Sequence, residues 1–391
     1  MLSFIIPNSG NNPNQEIVQK SNYSVRIFMK KSLSHSNNNF DFLRLLGAFL
    51  VIVSHSFVLT LNGVDPLYIL SGSTDLGVLG VAMFFVISGF LIAQSWHFDQ
   101  SLHFIWKRFL RLIPGLIAVT IFTVFILGPV VTTVSLKEYF TNPMTWSYFK
   151  SIALYLNVGG LPGVFTNNPY PNTVNGSLWT LPIEVTMYVL LMISGFLGLL
   201  GKKKLMTSFG IILVVIYFLN DITHFALYTS FTSQIFTSQL NVTLLFSLFF
   251  IMGSIYFVNK DSIKWDNNIL LTFIILWVFS FRTMFFNVAS LVFLPYIILC
   301  IAQMPLPFIN KASKYGDFSY GLYIYAFPIQ QTIILYLGRI PIVQMILLSI
   351  LCTLPLSVIS WNLIESKALK LKKIHISKLL KSKISEIYYK L

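Results

Sequence analysis

Two ionisable side chains, Arg44 and His55, lie in one apolar segment, residues 39–61, which reads NFDFLRLLGAFLVIVSHSFVLTL. At about 3.6 residues per helical turn, their spacing places them near one helix face, about 16 Å apart along the axis. Ionisable groups at membrane depth are costly and indicate a functional site by default. Arg44 has a second explanation, because its long side chain can reach the headgroups. His55 is too deep for that, so its alternative is a hydrogen bond to Ser54 or Ser56.

A carboxylate that could pair with His55 occurs in a later apolar segment, GSLWTLPIEVTMYVL, at Glu184. If this segment runs inward from the outer surface, Glu184 lies about as far below that surface as His55 does. A carboxylate beside an imidazole orients it and raises its basicity, as a general base requires. The spacing therefore predicts a His55–Glu184 pair.

A cluster of cations, WKRFLRLIP, follows the second apolar segment and contains Lys107, Arg108 and Arg111. These residues either anchor a loop at the inner membrane surface or bind an anion, since guanidinium groups match phosphate oxygens. Arg44 lies on the same side. The combination indicates an anionic, activated donor on the cytosolic side and an acceptor reached from outside.

The elements that must position these groups are membrane-spanning helices. Of 391 residues, 55% are hydrophobic and only 10% are charged, against about 25% charged in soluble domains. Continuous apolar runs predict an all-α, polytopic transmembrane bundle of about ten spans. The predicted spans are 42–61, 77–95, 112–133, 178–200, 206–220, 239–258, 268–284, 287–304, 317–337 and 342–363.

The net charge of +14 comes from basic clusters in alternate loops, which predicts that both termini are cytoplasmic and argues against nucleic acid as a partner. We expect a polar N-terminal tail at 1–39, a transmembrane domain at 40–365 and a basic amphipathic tail at 366–391. That tail, which includes Lys367, Lys370, Lys372 and Lys373, is expected to lie on anionic membrane lipids. The six histidines are scattered and predict no metal site.

The longest outward loop, residues 134–177, is rich in Gly, Pro and Asn towards its end, which excludes a regular helix there. Its aromatic residues either form a packed, sugar-accessible surface or an interfacial belt. They are Trp146, Tyr148, Tyr170 and, just beyond, Trp179.

Five segments in order resemble the motifs of membrane-bound acyltransferase family 3, whose members O-acylate surface polysaccharides, peptidoglycan and other glycans. They are FDFLRLLGAFLVIVSHS, GVAMFFVISGFLI, WKRFLRLIP, GSLWTLPIEVTMY and YGDFSYGLYIYAFPI. The resemblance, over about residues 40–366, implies ten transmembrane helices, acetyl-CoA as the usual donor and catalytic roles at His55 and Arg44. It also implies that Arg108 and Arg111 face the CoA side, and it matches Glu184 to the family's acidic position.

The chain departs from the family pattern in two respects. Many members have a histidine where this chain has Ala326, so His55 is expected to act without a second histidine. Some members also carry a fused extracytoplasmic domain, so either this chain acts alone or a separate extracytoplasmic partner completes the transfer.

The sequence thus predicts an O-acetyltransferase of the bacterial inner membrane that acts on a polysaccharide or lipid-linked glycan and has no tightly bound cofactor. His55, oriented by Glu184, is expected to deprotonate the acceptor hydroxyl or to relay the acyl group. Arg44, Lys107, Arg108 and Arg111 are expected to hold the CoA phosphates. The alternative is a transporter or flippase of lipid-linked glycan that uses His55 and Glu184 as a proton relay, although this does not explain the ordered motifs.

Overall fold

The computed structural model describes residues 38–99, 102–154, 160–223, 240–306 and 309–373. Within these ranges the chain is helical, apart from loops and one isolated β-bridge between Thr132 and Val164. A helix coincides with each of the ten predicted spans. These helices are α1 (Phe40–Thr60), α2 (Leu76–Phe98), α3 (Leu102–Phe122), α4 (Thr180–Phe196), α5 (Lys203–Thr223), α6 (Leu240–Val258), α7 (Asn267–Phe279), α8 (Phe286–Gln303), α9 (Ser319–Leu337) and α10 (Ile342–Ser360).

Six helical stretches in the described ranges are both long enough and apolar enough to cross a membrane. Two further helices, α4 and α7, are apolar but shorter. The protein is therefore an all-helical, multi-pass membrane protein, whereas ten crossings with two cytoplasmic termini remain a prediction. The six stretches are Phe40–Thr60, Leu76–Phe98, His103–Val131, Asn241–Val258, Phe286–Gln303 and Ile342–Lys370.

Glycines bring α1, α2 and α6 into close contact at the centre of the bundle. A Cβ atom on Gly80 would lie 2.4 Å from the Gly47 carbonyl oxygen of α1. On the other side of α2, a Cβ atom on Gly89 would lie 2.0 Å from the Phe250 carbonyl oxygen of α6. Only glycine permits backbones to approach this closely, which is a common basis of helix packing in membranes.

We call the end of the bundle where α1, α3 and α9 begin the basic end, because it holds Arg44 and the cations of α3. The opposite end, where α1 ends and α2 begins, is called the histidine end. At the histidine end Ser54 packs against Gly77, where an added Cβ atom would lie 3.1 Å from the Ser54 Cβ. This contact fixes the level of His55 relative to α2.

Residues 160–179 form a re-entrant segment that enters the bundle along α9. Near the histidine end, Gln331 Nε2 donates to the carbonyl oxygens of Tyr170 at 2.7 Å and Thr173 at 2.9 Å. Deeper in the bundle, Asn175 Nδ2 donates to the Ile324 carbonyl oxygen at 2.8 Å. The described residues 160–179 contain no helix, as predicted. Their polar groups are tolerated at membrane depth because the protein surrounds them.

The re-entrant segment moves the start of α4 deep into the bundle. Thr180, the first residue of α4, lies with its Oγ1 atom 2.6 Å from the hydroxyl of Tyr323. Tyr323 is only four residues from the start of α9 at the basic end. The expectation that this span begins at the outer surface is therefore wrong.

The chain beyond α10 stays helical and returns to α3. A π-helical turn at Trp361–Glu365, an α-helical turn at Ser366–Lys370 and a 3-10 turn at Leu371–Lys373 follow without a break. The Leu371 carbonyl oxygen accepts a hydrogen bond from Trp106 Nε1 at 3.3 Å. The rest of the predicted basic tail, 374–391, and residues 1–37 of the predicted N-terminal tail lie outside the described residues.

Replacing Gly89 by alanine is expected to force α2 and α6 apart, because its methyl group would overlap the Phe250 carbonyl. Overpacking of this kind costs about 1–3 kcal/mol. Thermal unfolding of the detergent-purified protein should show a lower melting temperature for Gly89→Ala. The control is Gly201→Ala, since no atom lies within 4 Å of a Cβ atom added there. Equal melting temperatures for the two variants would contradict this packing.

Candidate active site

A cavity of about 660 Å³ lies at the basic end, between α1, α2, α3, α4 and α9. Its lining along α2 extends from Phe98 to Val81, which is about 25 Å of helix. The lining at the inner limit includes Val81, Thr180 and Tyr323. The cavity is therefore elongated along the bundle axis and reaches towards the histidine end.

The cavity brings together the four cations that the sequence assigned to the donor side, Arg44, Lys107, Arg108 and Arg111. Three of them were expected in a loop, which is wrong, because α3 begins at Leu102 and carries the whole WKRFLRLIP motif. Residues three and four apart lie on neighbouring parts of a helix surface. Helical geometry, rather than a flexible loop, thus directs Lys107, Arg108 and Arg111 to the same cavity.

Asp317 connects two of these cations. Its Oδ2 atom lies 2.6 Å from Nη2 of Arg111 and 3.8 Å from Nη1 of Arg44, while its Oδ1 atom accepts from the Ser319 backbone amide at 3.2 Å. Burial alone would raise the pKa of Asp317, but Arg111 and Arg44 outweigh it and hold the pKa at about 2. Asp317 is therefore ionised at every physiological pH and holds the Arg111 guanidinium at the cavity wall, whereas Arg44 pairs more closely with Asp41, whose Oδ1 atom lies 2.8 Å from Nη1.

The remaining cations differ in how far their charge is balanced. Lys107 Nζ lies 2.7 Å from Asp99 Oδ2. Arg108 has no carboxylate within salt-bridge distance in the described part of the chain; it donates from Nη2 to Ser95 Oγ at 3.2 Å and lies over the Phe104 ring. Its buried Nε atom has no hydrogen-bond partner among the described residues. Since buried donors are nearly always paired, this orphan nitrogen indicates space for an acceptor from a ligand.

Glu184 lies in the wall of the same cavity. It accepts hydrogen bonds from Ser88 Oγ at 3.0 Å and from the hydroxyl of Tyr188, one turn further along α4. Of the predicted site residues, the cations of the cavity, and not His55, are therefore the ones that lie near Glu184.

His55 lies apart from this group, near the end of α1. Its ring packs edge-on against Phe327, with ring centroids 5.1 Å apart, and its Nδ1 atom is buried without a partner in the described ranges. Neither neighbouring hydroxyl occupies it: Ser56 Oγ donates to the Ile52 carbonyl at 2.8 Å, and Ser54 bonds to Asp75. The described surroundings therefore leave the His55 imidazole with an unused hydrogen-bonding position.

The structure does not bring His55 and Glu184 together. On α2, Glu184 is level with Ser88, whereas His55 is level with Gly77, and eleven helical residues correspond to about 16 Å. The prediction of equal depth does not hold because the re-entrant segment lets α4 begin beside Tyr323. The cavity lining comes closer to His55 than Glu184 does. On α2 the lining ends at Val81, one helical turn from Gly77, and on α9 it ends at Tyr323, one turn before Phe327. The lining thus ends about 6 Å short of the level of His55.

Residues 37–362 match the family model of an acyltransferase domain. The chain belongs to the acyltransferase 3 family. The chain is therefore an acyltransferase.

Curated relatives support this assignment. This acyltransferase is 30% identical to an O-acetyl transferase of Shigella phage Sf6 over 86% of the chain and 97% of that relative. It is 34% identical to nodulation protein 10 of Rhizobium leguminosarum bv. viciae over 42% of the chain and 46% of that protein. It is also 30% identical to peptidoglycan O-acetyltransferase OatA of Listeria monocytogenes, over 29% of the chain and 19% of OatA. No solved structure matches the chain.

Several cavity residues of the acyltransferase were not singled out in the sequence. Asp317 and Ser88 lie inside motifs that were recognised, but neither residue type has an unusual spacing that would have separated it from its neighbours. Lys372 lines the cavity, although its position among the eight lysines of the tail predicted a lipid-facing role. Only the return of the C-terminal turns to α3, which no local pattern indicates, places it there.

Replacing Asp317 by asparagine is expected to leave Arg44 and Arg111 as neighbouring cations that share no strong acid. Removing one partner of a buried ion pair costs about 3–5 kcal/mol, so the free energy of unfolding in detergent should fall by about that amount. The control is Asp261→Asn, since Asp261 and its partner Lys203 are both largely exposed and such pairs contribute about 0–1 kcal/mol. Equal losses in both variants would argue against Asp317 as the centre of the cluster.

Proposed function

We propose that the acyltransferase moves an acetyl group from acetyl-CoA to a hydroxyl group of a cell-surface or lipid-linked glycan. In this proposal the basic end faces the cytoplasm across the bacterial plasma membrane, and the donor enters the cavity there. The glycan reaches His55 from the histidine end, either directly or through a separate extracytoplasmic partner. The names of the two O-acetyltransferase relatives support the reaction class.

One observation carries the proposal: four cations line an elongated cavity whose inner limit lies about one helical turn from the level of His55. CoA has its phosphates at one end and its thioester at the other, joined by a long, flexible arm. The volume, about 660 Å³, is within the usual range of ligand pockets, about 300–1,000 Å³. Phosphates held by Arg44, Lys107, Arg108 and Arg111 would direct the thioester along the cavity towards Tyr323.

His55 is the general base in this proposal. The imidazole takes the proton of the acceptor hydroxyl, and the oxygen attacks the thioester carbonyl carbon. The C–S bond then breaks, and the proton from the imidazole neutralises the departing thiolate, so that an ester and a free thiol result. The unpaired Nδ1 of His55 supports this role, since a base must keep one nitrogen free of structural hydrogen bonds.

Glu184 acts on the donor side in this proposal. Its carboxylate is about 16 Å from the level of His55 along α2 but lines the donor cavity. There it would accept hydrogen bonds from the amide N–H groups of the CoA arm and hold the thioester in place. The same separation argues against a transporter, since a His55–Glu184 proton relay would need water molecules or further residues to bridge about 16 Å.

The proposal is tested by comparing the wild type, His55→Ala and the control His97→Ala in cells that display the candidate glycan. His97 is an exposed histidine at the basic end. At matched membrane abundance, NMR of the purified glycan should show a loss of O-acetyl groups by a factor of about 100 or more for His55→Ala alone. Unchanged acetylation would remove His55 from the mechanism, and glycan missing from the cell surface would favour transport.

Replacing Glu184 by glutamine distinguishes a donor-side role from the orientation of His55. We expect the KM for acetyl-CoA to rise about tenfold, because a hydrogen bond to a charged acceptor weakens. The acidic limb of the pH–rate profile of kcat should stay at the same pH as in the wild type. A shifted acidic limb with an unchanged KM would instead show that Glu184 acts through His55.

A further inference from the structure

The last described turns of the chain close one side of the donor cavity. Trp361 packs over Gly316, where an added Cβ atom would lie 2.3 Å from Trp361 Nε1, and Leu371 accepts the hydrogen bond of Trp106. These contacts hold the segment against the bundle, and Leu369 and Lys372, on either side of Leu371, line the cavity. The expectation that Lys372 faces anionic lipid is therefore replaced by a position beside the donor cations.

Charged groups on the elements around the cavity share its wall with Lys372, and the acids in that wall are engaged elsewhere. Asp41 and Asp317 pair with Arg44 and Arg111, and Glu184 accepts from Ser88 and Tyr188. Outside the wall, Asp99 pairs with Lys107. Glu365, in the preceding π-helical turn, accepts from Ser360 Oγ at 2.8 Å and has its Oε2 atom buried without a partner in the described ranges. No salt bridge to Lys372 forms within the described ranges. The charged groups in the wall are Arg44 and Asp41 on α1, Lys107, Arg108 and Arg111 on α3, Glu184 on α4 and Asp317 before α9.

The ammonium group of Lys372 is consequently unstable in the empty cavity. Burial, followed by the charges of Arg111, Arg108, Arg44 and Lys107, lowers the pKa of Lys372 to about 7. A large fraction of the empty protein therefore carries a neutral amine there at neutral pH, whereas an exposed lysine would be fully protonated.

We propose that Lys372 is a donor-binding residue that takes up a proton when the phosphates of the acyl donor enter the cavity. This inference rests on the proposed function, because the ligand is the CoA end of the donor. The incoming phosphate supplies the negative charge that the cavity lacks next to Lys372, so the ammonium form becomes stable and donates to a phosphate oxygen.

The pH dependence of donor affinity follows from the coupling between donor binding and protonation of Lys372. Below about pH 7 the amine is already protonated in the empty cavity, so donor affinity is highest and independent of pH. Above that pH each binding event must draw a proton from solution, and affinity falls by up to about tenfold per pH unit. An arginine at this position stays protonated and should remove the dependence.

Binding of CoA to the detergent-purified full chain, measured by calorimetry from pH 6.5 to 9, tests the proposal. We expect wild-type affinity to fall about tenfold between pH 7 and pH 8.5. Lys372→Arg should bind equally at both values, and Lys372→Met should bind about tenfold more weakly at pH 7 and match the wild type at pH 9. The control Lys370→Met should follow the wild type, since Lys370 is exposed and outside the cavity.

Proton uptake provides a second readout that a purely structural role would not change. Calorimetry at pH 8 in buffers of different ionisation enthalpy measures the number of protons taken up on binding. The wild type should take up a fraction of a proton per CoA bound, and Lys372→Arg should take up none. The same pH dependence and uptake in Lys372→Arg would overturn the inference. So would an effect of Lys372→Met that occurs only in nanodiscs containing phosphatidylglycerol, which would place Lys372 on lipid. Failure of the wild type to bind CoA at all would instead contradict the proposed function.

Discussion

The need to keep several cations beside one partly buried cavity is the constraint on which the rest of this acyltransferase depends. Like charges close together and away from bulk water repel strongly. Asp317 meets this constraint for Arg44 and Arg111, and Asp99 does so for Lys107. Arg108 has no carboxylate within salt-bridge distance among the described residues, and this uncompensated charge supports the proposal of an anionic ligand.

The second constraint is the distance between this cavity and the histidine end. Close glycine contacts hold α1, α2 and α6 rigidly together, so the levels of Arg44, Ser88 and His55 are fixed by helix length rather than by side-chain adjustment. The re-entrant segment fills the bundle from the histidine end and meets the cavity at Thr180. The inner limit of the cavity and His55 are thereby separated by little more than Phe327 and one helical turn.

Much of the fold could be predicted because membrane helices depend on local composition. Apolar length predicted the six helical stretches that are long and apolar enough to cross a membrane, and the density of Gly, Pro and Asn correctly excluded a helix from residues 160–179. The grouping of Arg44, Lys107, Arg108 and Arg111 on one side could also be predicted, since charge next to a span is visible in the sequence. The depth of Glu184 could not, because it depends on a polar segment that enters the bundle through long-range hydrogen bonds from Gln331 and Asn175. Lys372 was misplaced for the same kind of reason, as a long-range contact with Trp106 turns its segment back to α3.

The central claim is that the basic cavity holds the donor with its thioester end directed towards His55. The most direct measurement is an experimental structure of the protein with CoA bound, determined by electron cryomicroscopy in a lipid nanodisc. The account predicts phosphate density within hydrogen-bonding distance of Arg108 and Arg111 and the thiol end near Tyr323. The account would be contradicted by phosphates bound at the histidine end, or by CoA that lies between α2 and α3 but outside the cavity.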